Sequence, residues 1–202
     1  MLILVVAFFN LNDSIWQFTF YTMGVSYDIM HGEVDKYLTR PINPLFGLVM
    51  EHFEMMALLP MLIALGLIIY VTINYFSLDI LRFMIAFLVN FVCAMIFNIA
   101  YSTLGALSFW FGRTRSLVSI YRSFFTAKSF PIDILNRFMR GFFTFIFPAI
   151  FIGTYPVLIL TKLSMTDSVL ILLLSIVILS VFSIILWIVW TKGVKRYESF
   201  GG

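Results

Sequence analysis

The sequence predicts an all-α, polytopic transmembrane helix bundle, forming a single transmembrane domain over residues 1–202. Three observations carry this expectation. Residues 168–190, SVLILLLSIVILSVFSIILWIVW, contain no charge and are followed at once by TKGVKR. At about 1.5 Å per residue that run crosses a hydrocarbon core of about 30 Å. Hydrophobic residues make up 62% and charged residues 11% of the chain, with a mean hydropathy of +1.04, whereas soluble domains carry roughly 25% charge. Four further apolar segments precede the run, and the connections between them differ sharply in charge.

The first expected span, 2–25, is interrupted by Asn10, Asn12, Asp13 and Gln17. Asp13 is the one acidic residue within an apolar stretch. An intramembrane carboxylate is costly and is a functional candidate by default; a wet break in the helix at this polar cluster is the alternative. The connection 26–54 is the most polar stretch, with Asp28, Glu33, Asp35, Glu51 and Glu54 around Lys36 and Arg40. Pro41 and Pro44 break any continuous helix and Gly32 permits a turn. Short helices on either side of a proline-fixed bend are expected, a stiff loop suited to docking another protein. A plain solvated connection is the alternative.

The second span, 56–75, has Pro60 near its start. The third, 83–111, is long enough to tilt or to run past the membrane surface. Along it Asn90, Ala94, Asn98, Ser102 and Ala106 recur every four residues, a small and polar stripe that lets helices approach and hydrogen-bond. Asn90, Asn98 and Ser102 are therefore read as lining a pathway or an interface, with ordinary helix packing as the plainer explanation. Segment 112–140 follows. Its Leu117, Ile120, Tyr121 and Phe124 lie at helical spacing, opposite Arg115 and Arg122. That pattern predicts a basic amphipathic helix in the headgroup plane, serving as an anchor, or more sharply as a sensor of anionic lipid or a gate for lateral substrate access. Beyond it Pro131 and Asp133 sit where a helix would begin, with Asp133 placed to pair with Arg137. The fourth span, 141–161, contains Pro148, Gly153 and Pro156. The fifth is 168–190, and 191–202 forms a tail.

Sidedness follows from the basic residues. Lys36 and Arg40, then Arg113, Arg115, Arg122, Lys128, Arg137 and Arg140, then Lys192, Lys195 and Arg196 share one side if every span crosses; Arg82 and Lys162 fall on the other. This asymmetry predicts that the 26–54 loop, the 112–140 segment and the C-terminus are cytoplasmic. Five crossings would then leave Met1 outside, opening directly into LILVVAFF without a basic flank or a signal-peptide cleavage site. The expectation is a bundle lacking the first of six spans; a broken or re-entrant first span is the alternative.

Several function classes are disfavoured. Nucleic-acid binding would need a basic stripe on a soluble face. Cys93 is the single cysteine, so no internal disulfide or cysteine metal cluster can form. His31 and His52 have no Cys or His at ligand spacing; His52 beside Glu51 and Glu54 allows a metal reading, but an interfacial loop end is preferred. No Ser/His/Asp set, no paired carboxylates on an apolar helix and no GxxxxGK[ST] motif occurs. The expectation is a chain that is not an enzyme and holds no cofactor. The lack of ionisable residues inside spans two to five weakens an ion-coupled carrier and points to energy supplied by another protein.

The stretch IMHGEVDKYLTRPINPLF resembles the "G, then D, then L-x-R-P" loop of the bacterial ABC-2-type transporter permease family. WTKGVKRYESFGG resembles that family's closing "W…G…(K/R)RY-x-S-x-G" signature. Between them Phe109-Trp110, Phe130-Pro131 and TFIFPAIFIGTYP fit the family's pattern in order, so the resemblance runs from about residue 20 to the end. Members generally have six spans with both termini cytoplasmic. The resemblance implies an ABC-2-type permease fold and a membrane-spanning subunit of an ATP-binding-cassette exporter in the bacterial cytoplasmic membrane. It also implies a second permease copy or paralogue, and a separate ATPase that carries the ATP and Mg. A coupling helix docks on that ATPase in such folds; Gly32, Asp35, Arg40 and Pro41 would shape the contact here. Hydrophobic or amphipathic substrates are implied. A non-transporting membrane adaptor or assembly partner, and less so an ion-coupled carrier, stand as alternatives.

Overall fold

A computed structural model describes residues 1–20, 25–51, 54–76, 79–126 and 151–197. Every element among them is helical. In chain order these are α1 (Leu2–Phe20), α2 (Val25–Met30), α3 (Asp35–Leu38), α4 (Pro44–Glu51), a 3-10 turn (Met55–Ala57) leading into α5 (Leu58–Tyr75), α6 (Ile80–Ala106), α7 (Ser108–Phe111), α8 (Arg115–Thr126), α9 (Thr154–Thr161) and α10 (Met165–Val194). Among the described residues, three stretches are long and apolar enough to cross a membrane, Met55–Tyr75, Ile80–Phe111 and Met165–Val194, and a shorter apolar helix covers Leu2–Phe18. The chain is a multi-pass membrane protein built as a helix bundle.

Local chemistry sets the helix starts. α6 begins at Ile80, three residues ahead of the apolar run, because the Asp79 side chain accepts from Leu81 N (3.0 Å) and Arg82 N (3.5 Å). α10 begins at Met165 because Ser164 Oγ accepts from Asp167 N (3.2 Å) and donates to the Asp167 carboxylate (2.6 Å). With 30 residues, α10 is roughly 45 Å long, so it tilts or passes the membrane surface. α1 runs unbroken through Asn10, Asn12 and Asp13. The wet break considered above does not occur: Asn12 points inward, and Ser14 returns its hydroxyl to the Asn10 carbonyl (2.7 Å).

α6 is the hub, packed by α10, α1, α9, α2 and α8. α10 lays one seam on it, Ser168, Ser175, Ile178, Leu186, Trp190 and Gly193, whose small members allow close approach. α5 packs on α1 through Ala64, Ile68, Val71 and Thr72, again a single face. The main core gathers α1, α5, α6, α9 and α10 around Phe8, Phe97, Tyr101 and Phe151. α8 does not simply lie on a membrane surface. Val118 and Tyr121 pack against that core, with the Tyr121 ring 6.2 Å from Phe97 and 5.6 Å from Tyr101, while Leu117 and Ile120 stay exposed. Residues 127–150 lie outside the described residues, and with them the Asp133–Arg137 pair and the first half of the expected 141–161 span. His52 and residues 198–202 lie outside them also.

Candidate functional site

A second, smaller core lies at the end of the bundle where α6 and α10 finish. It joins Val25, Ile29, Val34, Tyr37 and Leu48 of residues 25–51 to Ala106 and Trp190, flanked by Leu45, Phe109, Val194 and Tyr197. The loop between the first two apolar helices is thus a folded platform seated on two long helices.

Its local structure follows from its residues. α2 crosses α6 at Gly105, where a Cβ would come within 2.9 Å of Val25. The Ser26, Ser108 and Thr114 hydroxyls form a closed set of 2.6, 2.8 and 3.0 Å contacts that ties α2 to α7 and to the start of α8. Gly32 has φ +77°, a conformation glycine adopts without strain, and its carbonyl accepts from Asp35 N (3.0 Å). That turn delivers Val34 and Tyr37 into the core. Tyr37 lies against Gly47, where any side chain would overlap its ring. Lys36 Nζ and the Arg40 guanidinium sit 5.3 and 5.6 Å from the same ring, in cation–π range. Asn43 Oδ1 then accepts from Leu45 N (3.0 Å) and Pro44 occupies the first position of α4, the arrangement that starts a helix sharply after a bend.

The four residues expected to shape a docking contact divide into two pairs. Gly32 and Asp35 act within the platform. Asp35 faces Tyr197, whose hydroxyl is pushed up to about 12, first by burial and then by the nearby Asp35 carboxylate. Arg40 and Pro41 are exposed at the tip. Beside them stand Leu38, Ile42 and Phe46, exposed at 42%, 45% and 58%, so the tip offers an apolar surface with a cation at its centre.

Sequence reasoning missed the platform beneath. Phe109 stands 5.5 Å from Trp190 and 5.8 Å from Tyr197, both edge-on, and its ring lies on Gly193, where a Cβ would overlap it. The W…G…RY pattern flagged Trp190, Gly193 and Tyr197, but not that Asp35 and Phe109 are their partners.

The stripe on α6 is buried against the chain's own helices. Asn90 is 0% exposed. Its amide donates to the carbonyls of Phe8 (3.1 Å) and Ile152 (2.6 Å), and its backbone carbonyl accepts from Asn12 Nδ2 (3.0 Å). It therefore joins α1, α6 and the turn before α9. Pro156 lies in the first turn of α9, where its missing N–H costs no helix bond, and the Ile152 carbonyl just before that helix takes the Asn90 amide as a donor. Asn98 is also buried, with neither amide atom bonded in the structure, and Ser102 returns its hydroxyl to the Asn98 carbonyl (2.9 Å). Among the described residues no group of three His, Cys, Asp or Glu could hold a metal ion.

A protein-family model described as "ABC-2 family transporter protein" matches residues 1–201. No similar curated protein and no similar solved structure was found.

Proposed function

The chain belongs to the ABC-2 transporter family, and from that premise we propose that it is the membrane-spanning permease subunit of an ABC exporter. It moves a hydrophobic or amphipathic substrate with ATP hydrolysed, with Mg, on a separate ATPase subunit. It works as a dimer with a second copy or a paralogue, in the bacterial cytoplasmic membrane, with the C-terminus cytoplasmic. The observation that carries the reading is the platform at one end of the bundle. Closure of an ATPase can be passed to membrane helices only through an element that is stiff and attached to them. Residues 25–51 are stiffened by Gly32, the Tyr37–Gly47 contact and the Asn43–Pro44 helix start. They are seated on the ends of α6 and α10 through Ala106 and Trp190. Their exposed tip, with Leu38, Arg40, Pro41, Ile42 and Phe46, is the surface we assign to ATPase contact, and Gly32 and Asp35 hold that tip in place.

The sidedness of charge agrees with this assignment. The 26–54 segment, the residues leading into α8 and the C-terminal tail, which carry Lys36, Arg40, Arg113, Arg115, Lys192, Lys195 and Arg196, meet at the same end, as cytoplasmic segments do.

The test is co-purification through a C-terminal tag after gentle solubilisation, with partners identified by mass spectrometry. A stoichiometric P-loop ATPase that is lost on Arg40→Glu, while the variant stays in the membrane, supports the permease reading and its docking site. Recovery of the chain without an ATPase, from a host expressing its neighbouring genes, would overturn it in favour of the adaptor reading. An ATPase retained in full by Arg40→Glu would overturn the assigned tip alone.

A further inference from the structure

α8 divides into three adjoining sectors of about 60° each, read at about 100° per residue. Val118 and Tyr121 pack on the main core. Leu117 and Ile120 form the next sector and are exposed at 46% and 55%. Ser116, Ser119 and Ser123 form the third and are exposed. The Ser119 and Ser123 hydroxyls donate to the Ser116 (2.8 Å) and Ser119 (3.0 Å) carbonyls of the same helix. An apolar flank thus lies between the protein core and a polar face.

The depth of α8 in the bundle says what covers that flank. α6 and α10 start behind the exposed carboxylates of Asp79 and Asp167, groups that belong in water or headgroups rather than in hydrocarbon. Twenty residues lead from Asp79 to Ile99 and twenty from Asp167 to Trp187. That is about 30 Å of helix, the thickness of a hydrocarbon core. Trp187 is 67% exposed, and exposed tryptophans gather at the membrane–water boundary. Tyr121 meets α6 at this level, on Phe97 and Tyr101. The Thr114 hydroxyl meets the Ser108 hydroxyl at 2.8 Å, about two turns farther out. α8 therefore lies in the headgroup layer at the platform end, with Leu117 and Ile120 against the acyl boundary.

The charge of this stretch has one sign. Arg113 is exposed just after Gly112, which turns the chain at φ +68°. Arg115, Arg122 and Lys128 follow, and no Asp or Glu occurs between Asp79 and Asp133. Basic residues beside an apolar flank at headgroup depth complement a lipid phosphate above its acyl chains.

We infer that α8 and the Arg113 turn bind an anionic phospholipid, with its phosphate at Arg113 and its upper acyl chain on Leu117 and Ile120. Thr114 also bonds Ser26 of α2 (3.0 Å), so the lipid sits beside the platform assigned to ATPase contact. The charge of the leaflet thereby reaches the coupling element. That consequence rests on the permease reading. The binding itself fails separately, because it is read without an ATPase or a substrate.

The experiment uses the full chain as Ile120→Cys, labelled with bimane, in phosphatidylcholine vesicles containing a minor share of phosphatidylglycerol. Cys93 is buried and stays unlabelled. The upper acyl chain is brominated on one lipid and then on the other, and quenching per mole fraction gives their relative affinity at the flank. Phosphatidylglycerol is expected to be favoured at least about five-fold, the effect of one basic residue near an anionic surface. Arg113→Gln should lower that preference about five-fold. Both substituted positions are exposed, so the chain still inserts. Equal quenching by the two lipids would overturn the headgroup site. Quenching by neither would overturn it also, because the flank would then be covered by protein. A preference unchanged in Arg113→Gln would overturn the placement of the phosphate.

Discussion

Asn90→Ala separates a packing residue from a pathway residue. The substitution removes both bonds donated by the amide, and their worth is unequal. The Phe8 carbonyl lies inside α1, so losing its extra donor costs about 0.6 kcal/mol, the typical value for a hydrogen bond between membrane helices. The Ile152 carbonyl precedes α9 and lies outside its hydrogen-bond ladder, so it loses the donor that Asn90 provides at 2.6 Å. An unsatisfied buried carbonyl costs about 1–3 kcal/mol. Together with the small cavity, the loss is about 2–4 kcal/mol, or roughly 30- to 900-fold in the folding equilibrium. The assay is reversible unfolding of the purified protein in mixed micelles, with titration of denaturing detergent followed by circular dichroism. A variant within about 0.5 kcal/mol of the parent, the range of a neutral surface change, would refute the node. If transport also fell, Asn90 would be a lining residue after all.

Other outcomes follow from the platform. In Gly193→Ala the new Cβ overlaps the Phe109 ring; displacement of Phe109 should cost about 1–3 kcal/mol and lower transport-coupled ATP hydrolysis while the chain still inserts, as read in proteoliposomes. Gly47→Val forces Tyr37 out of the small core and should abolish ATPase co-purification as fully as Arg40→Glu, while detergent stability of the main core is kept. Tyr197 predicts a pH effect. Its hydroxyl is raised from the ordinary 10.0 to about 12, so the folded state favours the neutral phenol. The contribution is present in full below about pH 10 and is lost as pH climbs toward about 12. Limited proteolysis of the tail across that window should show increasing release, and Tyr197→Phe should remove the pH dependence.

Much of the fold was legible because its signals are local. A run of apolar residues and a proline bend are read within a few positions. The uncharged run at 168–190 and the bend at Pro41 and Pro44 each act on their own neighbourhood, whereas the caps Asp79 and Ser164, which start α6 and α10 three residues ahead of their apolar runs, went unread. Charge asymmetry likewise grouped the segments that meet at one end. Faces were harder to read. Lipid is as apolar as a protein core, so hydrophobicity cannot say which side of a membrane helix is buried. Asn90 and Asn10 look alike in sequence, yet one is buried among three elements and the other faces outward. The α8 pattern predicted its amphipathicity, but not that Val118 and Tyr121 would pack on α6.

By itself the sequence determined that this protein is a membrane helix bundle and which family it resembles. Only the tertiary structure decided that Asp35 meets Tyr197, that Phe109 lies on Gly193, and that Asn90 serves the Ile152 carbonyl. These contacts join positions far apart in the chain. Their partners are chosen by the way whole helices fit together, so no short stretch of sequence contains them.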